Sequence, residues 1–303
     1  MPNTLGHFGA QALATRLAVK GADLKWILLG CVIPDLPWIL LRTLKATTEF
    51  SRYDLHLYTI VQASLAFCLL LSAAFALVSR DPRKVFIILV INSALHLFFD
   101  ACQNKWANGV HFVAPFSWEM LNFGLFWPES VFSIFLTALG GAACIFALRR
   151  AAHGEIKVHL RSHVCVATAI VLVIGYFAVP FVLINGPEHY DNNSIQTLRN
   201  RSERVGKRVE FDRRPVRIVD GKVVLHTFAQ EDVFLIGNAP EQAGRVSLRG
   251  EFVDETTVKV TDLHVHWGRA RDIPSYVGLL TLVLLFGRDL WTRTRSRPSQ
   301  NVR

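Results

Sequence analysis

Charge is missing from long stretches of this chain. Residues 164–184 contain no Asp, Glu, Lys or Arg, and residues 55–79 hold only His56 as a group that titrates near neutrality. Cysteine is also scarce. Cys31, Cys68, Cys102, Cys144 and Cys165 all fall in or beside apolar blocks, are odd in number and form no CxxC pair. That excludes a disulfide framework and a paired-thiolate metal site, and leaves them as small core residues. The first 22 residues lack the charged start and small-residue cleavage site of a signal peptide, so they are expected to stay in the mature chain, and secretion in soluble form is not expected.

What the chain does have is apolar residues gathered into blocks: 51% of its 303 residues are hydrophobic and the mean hydropathy is +0.30. At ~1.5 Å per residue, about 20 apolar residues cross a ~30 Å hydrocarbon core. Spans are therefore expected over residues 26–41 (interrupted by Asp35), 55–79, 85–99, 130–148, 164–184 and 276–287. The shorter ones must thin the bilayer or extend into polar flanks. Fifteen Lys and Arg residues fall in one set of connections, among them Arg16, Arg80, Lys84, Arg149 and Arg288, against Arg42, Lys45, Arg52 and Lys105 in the other. The richer set is expected to face the cytoplasm.

Residues 186–274 read differently. Runs such as KRVEFD, VRIVDGKVVLHTF, DVFLIG, GRVSLRGEF and TVKVTDLHVHW alternate with period two and break at Gly and Asp-Gly. That is the strand signature. The expected fold is an α-helical polytopic membrane protein with an inserted small all-β domain, an OB-like or other small barrel, on the extracytoplasmic side. Its organisation is a helical membrane domain over 1–185, the β domain over 186–274, and a final transmembrane helix with a basic cytoplasmic tail over 275–303. The β segment holds 14 basic and 14 acidic residues, so the chain's net +9 belongs to the membrane part and its fringe. The basic excess thus answers to anionic inner-leaflet lipid, and no nucleic-acid partner is expected. The bilayer is the expected partner; no protein partner is assigned.

On this map five ionisable groups from separate segments share the outer depth: His7, Asp35 in CVIPDLPW, His56, and the His96–Asp100 pair of HLFFD. Asn92, His96 and Asp100 are spaced four apart and share one helix face. Imidazoles and carboxylates converging from separate helices suit a divalent metal, zinc being the expectation. An ion so held activates water, which makes hydrolysis the implied chemistry. Glu129 lies at the same level. Asn92 is expected to support His96, and His111 to be peripheral. His264 and His266 in LHVHW would share a strand face, with no third ligand at a definite spacing, and are read as packing residues.

The N-terminal His7, GCVIPD, His56 and HLFFD followed by NGVHFVAPFSW resemble the inner-membrane metal-dependent hydrolases of the LexA-regulated, YdjM-like family, over roughly the first 120 to 150 residues. The resemblance implies location in a bacterial inner membrane. It also implies metal-site roles for His7, Asp35, His56, His96 and Asp100, with Asp35 and Asp100 the candidates for activating water. A lipid-like ester or phosphoester is the expected substrate. Two departures, Leu36-Pro37-Trp38 after the Pro-Asp pair and Leu57-Tyr58-Thr59-Ile60 after His56, count against a full two-metal site. The alternative is a non-enzymatic envelope protein whose membrane part anchors the β domain for protein interactions.

Overall fold

Helix starts are written in short polar caps. In the computed structural model, which describes residues 3–150, 162–190, 193–268 and 271–295, Asn3 Oδ1 accepts from the Gly6 amide to open α1 (Thr4–Ala18), and Asp23 caps α2 (Leu24–Val32). A 3-10 turn over Ile33–Asp35 joins α2 to α3 (Leu36–Thr47). Ser51 caps α4 (Arg52–Gln62), and Asp81 with Pro82 opens α6 (Pro82–Cys102) after α5 (Leu65–Leu77). A side-chain oxygen at this position satisfies amides that the helix itself leaves open. α7 (Val131–Arg150) and α8 (His163–Ala178) follow. Short helices α9 (Pro180–Leu183), α10 (Asn185–Tyr190) and α11 (Ile195–Arg199) then lead to the strands, and α12 (Asp272–Arg295) closes the described chain.

Among the described residues four helical stretches are long and apolar enough to cross a membrane: Leu24–Thr47, Pro82–Cys102, Val131–Arg149 and His163–Leu183. The expected span over 55–79 is instead two helices, α4 and α5, bent by 66°. The break has polar support. Gln62 Nε2 donates to the Tyr176 carbonyl at 3.1 Å, and Tyr58 donates to the Phe177 carbonyl at 2.8 Å, both on α8. A helix can part where neighbours satisfy its groups. The expected last span lies in α12, which is helical and carries Asp272 and Arg288 at or near its ends.

Close backbone approach sets the packing around the site. A Cβ on Gly140 of α7 would lie 1.8 Å from the Leu5 carbonyl oxygen, and one on Gly9 of α1 would lie 2.5 Å from the Gly140 amide. Only glycine lets these helices touch there. Gly30 of α2 similarly meets the Asn92 side chain and Leu89 of α6, pinning α2 against the helix that carries His96.

The β segment forms β1 (Arg208–Val219), β2 (Lys222–His226), β3 (Asp232–Gly237), β4 (Gly244–Phe252) and β5 (Thr257–His266). They close into a barrel in the order β1-β2-β3-β5-β4, bearing out the small barrel read from the alternation. Asp220 and Gly221, both at positive φ, make the two-residue turn between β1 and β2 that Asp-Gly favours. The β3–β5 pair is parallel and the other pairs are antiparallel. β1 slips register against β4 between Phe211 and Arg214, with Arg213 at φ 52°. That bulge aims adjacent arginines at different neighbours.

The barrel rests on the helices. Leu57 of α4 is fully buried in the same apolar cluster as Phe211, Leu248 and Phe252. Arg199 of α11 bridges Asp54 of α4 and Glu188 of α10. Buried Arg204 holds Glu231 through both carboxylate oxygens at 2.7 and 2.6 Å, tying the lead-in to the barrel.

Candidate metal centre

His96 and Asp100 sit one turn apart on α6, so both side chains leave the helix on one face, as their spacing requires. α1 brings His7 against them because the glycine contact with α7 fixes its depth. The His7 and His96 rings stack with centroids 3.8 Å apart, and His7 Nε2 lies 3.3 Å from Asp100 Oδ1. The 3-10 turn over Ile33–Asp35 swings Asp35 toward the same point, with Oδ1 3.7 Å from His96 Nε2. Lys105, beyond the end of α6, returns its ammonium to 3.1 Å from Asp100 Oδ2. Nothing in the spacing of HLFFDACQNK points to that contact.

The donor atoms of His7, His96 and Asp100 lie within 4.8 Å of one another. All three residues are buried, at 1%, 0% and 5% exposure. Apart from the 3.3 Å contact between His7 Nε2 and Asp100 Oδ1, the ring nitrogens of His7 and His96 have no hydrogen-bond partner. Buried polar atoms are seldom left this way, and one atom from each of the three residues, two imidazole nitrogens and a carboxylate oxygen, makes a donor set that a divalent cation satisfies. Zinc accepts this mixture of imidazole and carboxylate.

His56 does not join them. Its ring stacks on Phe228 of the barrel at 4.6 Å and meets Trp38 edge-on at 5.3 Å, so it forms part of a wall between α4, α3 and the barrel. Asn92 accepts from Thr15 Oγ1 at 3.1 Å and donates to the Ile88 carbonyl, one turn below His96. His111 Nδ1 lies 2.7 Å from the Trp118 carbonyl oxygen, within its own loop.

The histidines of LHVHW find a third partner that sequence spacing did not show. Glu129, some 135 residues earlier, places Oε1 2.8 Å from His266 Nδ1 and Oε2 3.5 Å from His264 Nε2, while Trp127 stacks on His264 at 3.6 Å. These three residues also have metal-compatible spacing. However, Arg213 reaches Glu129 Oε1 at 3.3 Å and Ser247 meets His266 Nε2 at 2.8 Å, so this cluster is a clamp between the barrel and the segment before α7. Burial alone would raise the Glu129 carboxyl. The hydrogen bonds from His264 and His266 and the charges of His266 and Arg213 outweigh it and hold the group well below the carboxylate range. Burial lowers His266 despite Glu129.

No family model, curated protein or solved structure matches the chain. Its class therefore rests on the fold and site themselves: apolar helices long enough to span a membrane, a closed five-stranded barrel docked on them, and a buried two-histidine, one-carboxylate centre where they meet.

Proposed function

We propose that the protein is a membrane-embedded, metal-dependent hydrolase of the YdjM-like kind. In this reading the barrel lies on the extracytoplasmic face of a bacterial inner membrane, and the centre opens at the membrane–water interface. The observation that carries the reading is that buried His7, His96 and Asp100 each bring one ligand atom within 4.8 Å of the others, with the histidine ring nitrogens unsatisfied by hydrogen bonds. A divalent ion bound there supplies electrophilic activation of an ester or phosphoester and of the attacking water.

The chain's own residues divide the remaining work. Asp100 is held by Lys105 and flanked by both histidines, which suits a ligand more than a mobile base. Asp35 touches only His96 within this group and lines the neighbouring cavity, so it is the carboxylate that meets substrate and accepts a proton. His56, on the cavity wall between Trp38 and Phe228, orients substrate. The apolar helices admit an amphiphile sideways from the bilayer, and the barrel covers the site.

Elemental analysis of the purified full-length protein in detergent tests the reading. About one divalent ion per chain is expected, lost from His96→Ala and Asp100→Ala while circular dichroism and size-exclusion profiles stay those of the wild type. If zinc-incubated wild type holds no stoichiometric metal and both variants fold normally, the hydrolase reading is wrong. The protein is then an anchor presenting its barrel.

A further inference from the structure

Beside the metal centre, α3, α12 and the barrel enclose a cavity of about 510 Å³. Five arginines line it: Arg42 from α3, Arg213 and Arg214 from β1, Arg245 from β4, and Arg271 just before α12. The acidic residues of the wall are Asp35, Asp212 and Asp272. A second cavity of about 330 Å³ shares Arg42, Arg214 and Arg271, adds Lys45 and Lys105, and reaches Asp100.

The charges are not cancelled within the wall. Arg213 is taken by Glu129, and Asp212 accepts from Ser247. Among the described residues Arg42, Lys45, Arg214, Arg245 and Arg271 make no ion pair. Arg42 donates to the Tyr276 hydroxyl at 3.4 Å, and Arg214 and Lys45 lie over the Phe228 ring at 5.4 and 5.7 Å. Burial, eased by Asp212 and reinforced by the Arg245 charge, pushes the Arg214 guanidinium below its ordinary range. Cations crowded in a partly enclosed space are stabilised by an anion that bridges them. Guanidinium forks converging from several elements match the several oxygens and double charge of a phosphate group better than a single carboxylate.

The rest of the wall mixes polar residues, among them Thr4, Asn108, Ser194 and Ser275, with an apolar side that faces outward. Ile39 and Leu279 join Trp38 and Tyr276 on it, and the adjoining faces of α3 and α12 expose Leu40, Val277 and Leu280. A group bound in the chamber can therefore carry an alkyl chain along these helices. We propose that this chamber binds the phosphate headgroup of an anionic lipid, holding it beside Asp35 and Asp100. The inference deepens the hydrolase reading by naming its substrate class, and it rests on that reading for the chemistry but not for the binding.

The test uses full-length protein in dodecyl maltoside micelles, with binding of dioleoyl phosphatidic acid, dioleoyl phosphatidylcholine and inorganic phosphate followed by microscale thermophoresis. Phosphatidic acid should bind at least about tenfold more tightly than phosphatidylcholine, since a charge-assisted contact is worth roughly that factor. Arg42→Gln and Arg271→Gln should each weaken it about tenfold with unchanged melting curves and metal content; Arg42 is exposed, so its loss leaves the fold intact. Equal binding of the two lipids, or indifference to both substitutions, overturns the proposal. So does competition by inorganic phosphate at the same concentration as phosphatidic acid, which would make the ligand a soluble anion. A metal-free wild type that still prefers phosphatidic acid sinks the hydrolase reading and keeps this one. A metal-loaded protein that ignores phosphatidic acid does the reverse.

Discussion

Asp35 and Asp100 are both carboxylates beside His96, yet their surroundings assign them different work. Asp100 is surrounded by Lys105, His7 and His96; Asp35 meets His96 alone and borders the cavity. Asp35→Asn should therefore keep the metal and lower kcat on a phosphate-ester substrate by about 100-fold or more, the usual contribution of a general base. Elemental analysis run alongside the kinetics checks it; loss of metal from Asp35→Asn would instead make Asp35 a ligand. At this scale the His96–Asp100 pair was readable because an α-helix repeats every 3.6 residues, so a spacing of four guarantees a shared face. The return of Lys105 and the stacking of His56 on Phe228 were not readable. Each depends on how the chain turns after a helix ends.

At the scale of elements, the site depends on helices that approach more closely than side chains usually permit. Gly140 and Gly9 remove the Cβ atoms that would separate α7 from α1, and α1 carries His7. Gly140→Ala should force the two apart, lowering the melting temperature by several degrees, on the order of 1–3 kcal/mol for overpacking a tight contact. It should also weaken metal retention, because His7 moves with its helix. Differential scanning fluorimetry with metal analysis separates the two effects, and a variant that melts lower but keeps its metal would show that α1 is not what positions the centre. The strands were legible from alternation and from the Asp-Gly turn, and the bulge at Arg213 was not. Nor was the break between α4 and α5, since 55–79 reads as one apolar run and the groups that stabilise the bend, Tyr176 and Phe177, belong to α8.

For the whole molecule the question is how the barrel stays on the helices, and part of the answer titrates. His266 is buried with its pKa below the ordinary 6.5, so folding favours the neutral ring. Its contribution is complete above that pH and declines as pH falls below it. Glu129 is held well below its ordinary 4.5, so its contribution is present above 4.5 and is lost on further acidification. Both signs agree: acid loosens the clamp. Melting temperatures across pH 8 to 2 should show the fall in the wild type. The step just below pH 6.5 should be absent from His266→Gln, and the lower step absent from Glu129→Gln. A wild-type curve that is flat over this range would mean that the clamp does not hold the barrel.

Taken by itself, the amino-acid sequence determined the apolar helices, the alternating strands of a small barrel and the His96–Asp100 face, because each follows from periodicity within a single segment. The tertiary structure alone decided which distant groups share a space. It placed His7 on Asp100, Glu129 on His266, and four β-side or linker arginines in one chamber within a segment whose summed charge is zero. Net charge is a sum over residues, whereas a binding site depends on distances between them, and those distances are set by backbone contacts such as Gly9 with Gly140 rather than by local pattern.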